Sequence, residues 1–249
     1  MMLFGPFEAV FSYLLGASYL GVGLRNLLSE KRRNAVFDAF GVFLDYDVQY
    51  PPDIIWGDYD MSADFIPHGD SVVIDVGANV GDYSSVIAKR YGCRVIAIEP
   101  APKAYELLLR NIQRNNLQDY VTPMNIALTD KTGYIQMQID GRWGYANSAS
   151  IGGSSISVKV RRLDDFIDSK MKVKADIVKI DVEGGELGVL AGGKTYLGTL
   201  RPRIIIEVHS KELRQRTIDL LSTIGYEIRH EKVNFPSVGI SVLYMECRV

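Results

Sequence analysis

A loop that contains two glycines and an asparagine follows the apolar run Val72–Val76. Gly77 permits a sharp backbone turn and the close approach of a ligand, because it has no Cβ atom. Asn79 is predicted to cap the helix that follows, and Gly81 would let this helix pack closely. The pattern predicts a strand, a ligand-binding first loop (residues 77–81) and a helix.

Two carboxylates near this loop narrow the class of ligand. Glu99 ends the next apolar run, 22 residues after Gly77, where an acidic residue accepts hydrogen bonds from both hydroxyls of a ribose. The dinucleotide fingerprint has a glycine where this chain has Asn79, which disfavours the tight approach of a pyrophosphate. Asp75 suits an ammonium group better than a phosphate. S-adenosylmethionine has both charges, so the loop amides would bind its carboxylate and Asp75 its ammonium, directly or through water.

A second group of ionisable residues follows two later apolar runs. The predicted strand at 175–180 is followed by Asp181, Glu183 and Glu186. The predicted strand at 203–208 ends near Glu207 and His209. Ligands bind outside the carboxyl ends of parallel strands, and adjacent carboxylates repel one another unless something uses them. Three uses stay open: a base for an acceptor hydroxyl, ligands of a divalent cation, and a helix cap, for which Glu186 is suited.

The candidate bases are Asp181, Glu207 and His209. A histidine titrates near neutral pH, which favours His209 together with Asp181. A structural hydrogen-bonding role for His209 is the competing interpretation. The two cysteines, Cys93 and Cys247, and the three histidines show no metal-ligand spacing, so no metal site is predicted and a divalent cation lacks support.

Strand-like and helical patterns alternate from residue 71 onward, and these elements must position the residues above. The predicted strands are 71–76, 94–98, 121–128, 175–180, 203–208, 227–230 and 238–247. The predicted helices are 80–90, 103–115, 185–199 and 211–223. The alternation predicts an α/β fold with a mostly parallel sheet and helices on both faces.

Residues 130–162 interrupt this alternation. They are rich in Gly, Ser, Asn and Thr and contain the β-prone pieces 134–139 and 155–160, which predict an inserted hairpin. Trp143 and Tyr145 lie at its predicted turn. A mobile lid over an acceptor and an exposed hairpin held by one aromatic side chain are both open.

Several segments together resemble a known family. Asp75-x-Gly77-x-x-x-Gly81 followed by Glu99 looks like the first two motifs of Rossmann-like class I methyltransferases. Residues 125–130 (NIALTD), 162–165 (RLDD), 179–186 (KIDVEGGE) and 206–209 (IEVH) resemble, in order, the FkbM family of methyltransferases. The resemblance covers roughly residues 66–247.

The resemblance implies a Rossmann-like sheet with a last antiparallel strand and S-adenosylmethionine as the cofactor. The residues that it implies for cofactor binding are Asp75, Gly77, Asn79, Gly81, Glu99, Asn125, Ala127 and Asp181. The first four would hold the methionine part, Glu99 the ribose and the 125–127 segment the adenine. Asp181 would lie near the sulfonium and the acceptor, which the family associates with hydroxyls on sugars, glycolipids and small metabolites.

Residues 1–65 lie outside the resemblance and are predicted to be an N-terminal helical extension and linker to a domain at 66–249. The uncharged stretch 9–24 is shorter than the ~20 residues that span a bilayer. Residues 7–30 have an apolar helical face, and two interpretations stay open: a cover for the domain or a second copy of the chain, and a helix on a membrane surface. Two unpaired cysteines favour a cytoplasmic location, and a net charge of −2 disfavours nucleic acid.

Two other functions compete with methyl transfer. Residues 188–195 fit the Walker A string G-x-x-x-x-G-K-[ST], which would predict binding of magnesium-ATP. A phosphate loop directly follows its strand, however, whereas a helix is predicted to be under way here. The other alternative is a non-catalytic, membrane-associated binding module that uses residues 7–30.

Overall fold

The computed structural model describes residues 36–39, 42–45, 63–139, 154–168, 173–235, 237 and 239–248, which form an α/β fold. In chain order the strands are β1 (Val36–Ala39), β2 (Val42–Asp45), β3 (Val72–Val76), β4 (Arg94–Ile98), β5 (Val121–Met124), β6 (Ala127–Leu128), β7 (Gly133–Ile139), β8 (Ser154–Arg161), β9 (Ile177–Ile180), β10 (Arg203–Val208), β11 (Tyr226–Phe235) and β12 (Ile240–Cys247). The helices are α1 (Asp82–Tyr91), α2 (Pro102–Arg114), α3 (Asp165–Asp168), α4 (Glu186–Gly192), α5 (Lys194–Leu200) and α6 (Lys211–Ser222).

Seven strands form the central sheet, in the order β11-β12-β10-β9-β3-β4-β5. The strands from β10 to β5 are parallel, and β12 is antiparallel to both of its neighbours. The predicted sheet with a last antiparallel strand is therefore confirmed. The chain adds β4 and β5 on one side of β3 and then β9 and β10 on the other. This reversal opens a crevice at the carboxyl ends of β3 and β9, where ligands bind in such sheets.

Apolar side chains cover both faces of the parallel strands. Ile74 and Val178 pack on one face together with Leu190 of α4. Val73 packs on the opposite face with Leu108 of α2. Near-continuous apolar strands are typical of a sheet that is buried on both sides, which is why these short runs identified the strands correctly.

The inserted segment forms a second, three-stranded sheet in the order β6-β8-β7. β7 and β8 pair antiparallel, from Gly133 opposite Val160 to Ile139 opposite Ser154, as predicted for the hairpin. Met137 of β7 is buried against a cluster that includes Leu107 of α2. The predicted turn with Trp143 and Tyr145 lies outside the described residues, so the lid stays a prediction.

Several predicted boundaries differ from the structure. The helix expected at 185–199 is two helices, α4 and α5, because the backbone of Gly193 between them is not helical (φ −113°, ψ 9°). The strand expected at 121–128 ends at Met124, and Ala127 instead pairs with Val160 in the second sheet. Pro123 cannot donate a ladder hydrogen bond and is tolerated because β5 is an edge strand. The helix expected from residue 80 begins at Asp82, because Asn79 and Gly81 adopt left-handed backbone angles (φ 49° and 83°). Gly81 thus takes the capping position that was predicted for Asn79.

The segment before the main sheet contains a strand pair that the sequence did not predict. β1 and β2 pair antiparallel, and Val42 and Leu44 of β2 are buried against Val86 of α1. Residues 7–30 lie outside the described residues. Among the residues that the structure describes, no helix has the length and apolar character needed to cross a membrane.

Candidate active site

The first loop crosses the carboxyl end of β3 in a conformation that depends on glycine. Gly77 has a φ of 81°, and its N–H donates to the carbonyl oxygen of Ile98 at 2.9 Å. A Cβ atom at Gly77 would overlap the carbonyl oxygen of Asp181. A Cβ atom at Gly81 would overlap the side chain of Leu108. Both glycines therefore allow close packing within the protein, Gly77 against the main chain after β9 and Gly81 against helix α2. The approach of a ligand to Gly77 stays a prediction.

Glu99 holds this loop against the end of β4. Its Oε2 accepts the N–H of Asn79 at 2.8 Å, and its Oε1 accepts the N–H of Ala101 at 2.7 Å. Burial raises the pKa of Glu99 to about 7, although the hydrogen bonds from Ala101 and Asn79 favour the carboxylate. Its predicted contact with a ribose stays a prediction, and the structure adds a second role as an anchor of the loop.

The segment predicted beside the adenine divides between two sheets. Asn125 is exposed, and its side-chain amide donates to the carbonyl oxygens of Glu99 and Pro100 at 2.9 and 3.2 Å. This amide links the ends of β4 and β5. Ala127 lies two residues further on in β6 and packs with the second sheet. The structure therefore brings Asn125 next to Glu99, and Ala127 lies beyond them.

Asp75 is fully buried in β3 and has two partners inside the protein. The Ser84 hydroxyl donates to its Oδ2 at 2.6 Å, and the ammonium of Lys179 lies 3.2 Å from its Oδ1. Lys179 is a residue to which the sequence analysis gave no role. The available signal was a single charged residue in the apolar strand β9. The predicted pairing of Asp75 with a cofactor ammonium stays a prediction.

Four residues after β9 and β10 form an acidic–histidine cluster: Asp181, Glu183, Glu186 and His209. The Nδ1 atom of His209 lies 2.7 Å from Oε1 of the fully buried Glu186, which also accepts the N–H of Gly184. The opposite ring nitrogen, Nε2, lies 3.6 Å from Asp181 and 3.4 Å from Glu183. Glu186 is also the first residue of α4, but the N-cap is Gly185 and no side chain caps the helix there.

The cluster controls the charge on His209. Burial lowers the pKa of this imidazole, but the hydrogen bond with Glu186 and the negative charges of Glu183 and Asp181 outweigh it and raise the pKa to about 9. His209 is therefore a cation at neutral pH and a strong base once deprotonated. Glu207 is half-buried on β10, two residues before His209, and its role as a base stays a prediction.

Three potential metal ligands lie within 4.8 Å of one another: one oxygen of Asp181, one oxygen of Glu183 and one ring nitrogen of His209. This donor set suits a divalent cation, and a carboxylate bound to the second ring nitrogen is typical of metal-ligating histidines. A bound metal ion and an acceptor proton would compete for the same nitrogen of His209. The sequence-based prediction of no metal site stays a prediction.

The Walker-like string is part of a helical segment. Its first residues, 188–191, lie inside α4, and Lys194 is the exposed first residue of α5. A Cβ atom at Gly192 would overlap the carbonyl oxygen of Thr129, so this glycine serves close packing. A phosphate loop needs free backbone amides directly after a strand, and this segment does not have that arrangement.

Replacing Lys194 by alanine is expected to change stability and methyl transfer by less than about 0.5 kcal/mol, as is usual for an exposed residue. Calorimetric titration with magnesium-ATP and an assay with labelled S-adenosylmethionine check this. ATP binding by the native chain that disappears in Lys194→Ala would contradict it.

Comparisons with known proteins agree with this geometry. A family model described as the methyltransferase FkbM domain matches residues 75–228, more than half of the chain. The chain is 27% identical over 165 residues to the hexuronic acid methyltransferase AglP of Haloferax volcanii, covering 66% of this chain and 67% of that protein. It is 28% identical over 170 residues to the 2-O-methyltransferase NoeI of Sinorhizobium fredii, covering 61% and 68%.

Two solved structures show the same fold. A crystal structure of methyltransferase FkbM from Methylobacillus flagellatus has a TM-score of 0.53 at 22% identity and covers 72% of this chain, which spans 44% of that one. A tRNA m1G37 methyltransferase of M. jannaschii has a TM-score of 0.52 at 16% identity, and the match covers 88% of this chain and 58% of that one. Because the family model matches most of the sheet and both groups of site residues, this chain is a methyltransferase and belongs to the FkbM family.

Proposed function

We propose that this methyltransferase uses S-adenosylmethionine and methylates a hydroxyl group on a sugar, a lipid-linked glycan or another small molecule. One observation carries the proposal: the first loop packs directly on the main chain of Asp181, from which the acidic–histidine cluster begins. A cofactor loop and a proton-accepting group are thus adjacent at the reversal of strand order. Transfer between two bound molecules requires this adjacency.

The loop and Glu99 have the chemistry to hold an adenosyl group. Each carboxylate oxygen of Glu99 accepts one backbone N–H and retains a lone pair that can accept a ribose hydroxyl. Asn125 fixes the neighbouring strand end against Glu99, which supports its predicted place beside the adenine. When bound, S-adenosylmethionine supplies an electrophilic methyl group on a sulfonium.

His209 is the residue that we assign as the general base. Glu186 holds Nδ1, so Nε2 faces the mouth of the site beside Asp181 and Glu183. The acceptor hydroxyl would give its proton to the neutral Nε2 while its oxygen forms the new C–O bond and the C–S bond breaks. Asp181 and Glu183 would then stabilise the imidazolium. Because the pKa of His209 is about 9, the neutral imidazole is a small fraction at neutral pH, and methyl transfer is expected to be faster at alkaline pH.

The names of two relatives support a hydroxyl on a sugar as the acceptor, because one is a hexuronic acid methyltransferase and another is a 2-O-methyltransferase. The balanced charge of the chain, −2 overall, disfavours a nucleic-acid acceptor. We assign the activity to the domain predicted at 66–249. The role of residues 7–30 stays a prediction: they would pack on the domain, pack on a second copy of the chain, or contact a membrane.

Calorimetric titration with S-adenosylhomocysteine tests the cofactor assignment. The native chain is expected to bind it and to bind no magnesium-ATP. Replacing Glu99 by alanine is expected to weaken binding by about 1–3 kcal/mol, because it removes the ribose acceptor and the anchor of the loop. The titration is best made at about pH 8, where Glu99 is ionised.

The matched control is Glu106→Ala, which removes an exposed carboxylate from α2. It is expected to bind S-adenosylhomocysteine as the native chain does. An unchanged dissociation constant in Glu99→Ala would refute the role of Glu99, and no binding by the native chain would refute the cofactor assignment.

A further inference from the structure

A buried lysine lies between the cofactor loop and the acidic–histidine cluster. Lys179 is 2% exposed, and the other three residues of β9, Ile177, Val178 and Ile180, are fully buried and apolar. An ammonium group in such surroundings is costly unless anions and carbonyl oxygens compensate it. Its contacts therefore indicate what the lysine does there.

The ammonium of Lys179 contacts three separate parts of the site. It lies 3.2 Å from Oδ1 of Asp75, the residue opposite it in the parallel pair of β3 and β9. It donates to the carbonyl oxygen of Gly77 in the first loop at 3.3 Å. It also lies 3.6 Å from Oδ2 of Asp181, whose Oδ1 faces His209. The ring of Tyr83 lies beside the ammonium, 5.7 Å away at its centroid.

We propose that Lys179 is a positioning residue that holds the first loop and Asp181 in one arrangement, so that the cofactor and the proton-accepting group stay aligned. This inference rests on the proposed function. The three oxygens that Lys179 contacts come from the strand before the loop, from the loop itself and from the end of β9.

The same contacts add a second role for Asp75 to this proposal, while its predicted pairing with a cofactor ammonium stays a prediction. Asp75 is fully buried, and the Lys179 ammonium and the Ser84 hydroxyl already contact its carboxylate. It therefore acts on a cofactor through Lys179 and the loop, as the counter-ion that keeps the lysine charged and in place.

A purely structural ion pair would behave differently from a positioning residue. Replacing both members of a buried pair by uncharged groups of similar size is often neutral for stability. If Lys179 only neutralises Asp75, the double variant Asp75→Asn/Lys179→Met should regain both stability and ligand binding. If Lys179 also positions Gly77 and Asp181, the double variant should regain stability but not affinity.

The experiment compares the native chain with Lys179→Met, with Asp75→Asn and with the double variant Asp75→Asn/Lys179→Met. Asp75→Asn keeps Lys179 and shows how much affinity is lost with the carboxylate alone, so the loss in the double variant must exceed it. Thermal unfolding gives stability, and calorimetry with S-adenosylhomocysteine below all melting temperatures gives affinity. Lys179→Met leaves Asp75 buried without its counter-ion and is expected to melt much earlier. The double variant, which keeps the test usable if the single variant does not fold, is expected to recover most of the stability. Its affinity should remain at least about tenfold weaker than that of the native chain.

The matched control is Lys174→Met, which removes an exposed ammonium just before β9. It should bind as the native chain does. Native affinity in the double variant would overturn the inference while leaving the proposed cofactor intact. Absence of binding in the native chain would overturn the proposed function instead, so the two failures are distinguishable.

Discussion

Replacing His209 by alanine is expected to lower kcat for methyl transfer by about 10²–10⁴-fold, the usual contribution of a general base. The variant loses the only imidazole of the acidic–histidine cluster, whose Nε2 lies 3.4 Å from Glu183 and whose Nδ1 is held by Glu186 at 2.7 Å. Transfer of label from S-adenosylmethionine to the best acceptor in a panel of glycosides and uronic acids measures the loss.

The pH dependence of the native enzyme tests the same assignment. Because the neutral imidazole is the base and its pKa is about 9, kcat should rise with pH until about 9 and then level off. The effect on stability has the opposite sign. A histidine whose pKa is raised on folding stabilises the protein fully below its unfolded pKa of 6.5, and this contribution is lost as the pH rises through about 9.

An exposed histidine provides the control for both measurements. His68→Ala removes an imidazole outside the cluster and should retain the native rate and pH profile. A flat profile across neutral and alkaline pH, with most activity retained in His209→Ala, would assign proton transfer to Asp181 or Glu207. Loss of activity in a chelator, restored by a divalent cation, would show that the Nε2 atom is a metal ligand and not the base.

Replacing Gly77 by alanine is expected to abolish detectable binding of S-adenosylhomocysteine. The left-handed backbone at this position (φ 81°) costs an L-residue about 1–2 kcal/mol. A Cβ atom would in addition overlap the carbonyl oxygen of Asp181, so the loop and the start of the cluster must move apart. Calorimetry and thermal unfolding of the variant measure the two effects.

Gly92 allows the backbone cost to be measured separately. It caps α1 with a φ of 67°, and a Cβ atom there would meet nothing within 4 Å. Gly92→Ala should therefore show only the backbone cost and bind S-adenosylhomocysteine normally. If Gly77→Ala and Gly92→Ala bind S-adenosylhomocysteine equally well, the close contact between the first loop and Asp181 is not needed for binding.

Features that depend on neighbours in the chain could be predicted from the amino-acid pattern alone. The apolar runs at β3, β4, β9 and β10 predicted buried parallel strands, because such strands need continuous apolar residues on both faces. Glycines followed by an acidic residue at the next strand end indicated the loop and Glu99. The hairpin of β7 and β8 was also predictable, since its strands pair with each other.

Features that depend on pairing partners were less predictable. The pattern at 121–128 predicts one strand, but the chain leaves the central sheet after Met124, and Ala127 pairs with Val160 in the second sheet. Likewise, Asn79 has the residue type of a helix cap, but the left-handed angles of the loop move the first helical residue to Asp82. Local propensity is a weak guide where a neighbouring segment sets the backbone.

The contacts among the site residues could not be predicted, because they depend on how the strands are ordered in the sheet. Asp75 and Lys179 are 104 positions apart, and they meet because β3 and β9 are adjacent in the sheet. The hydrogen bond with Glu186, the first residue of α4, raises the pKa of His209, which follows β10. Ion pairs and hydrogen bonds act over a few ångströms, so their partners follow from strand order, which no local sequence pattern specifies.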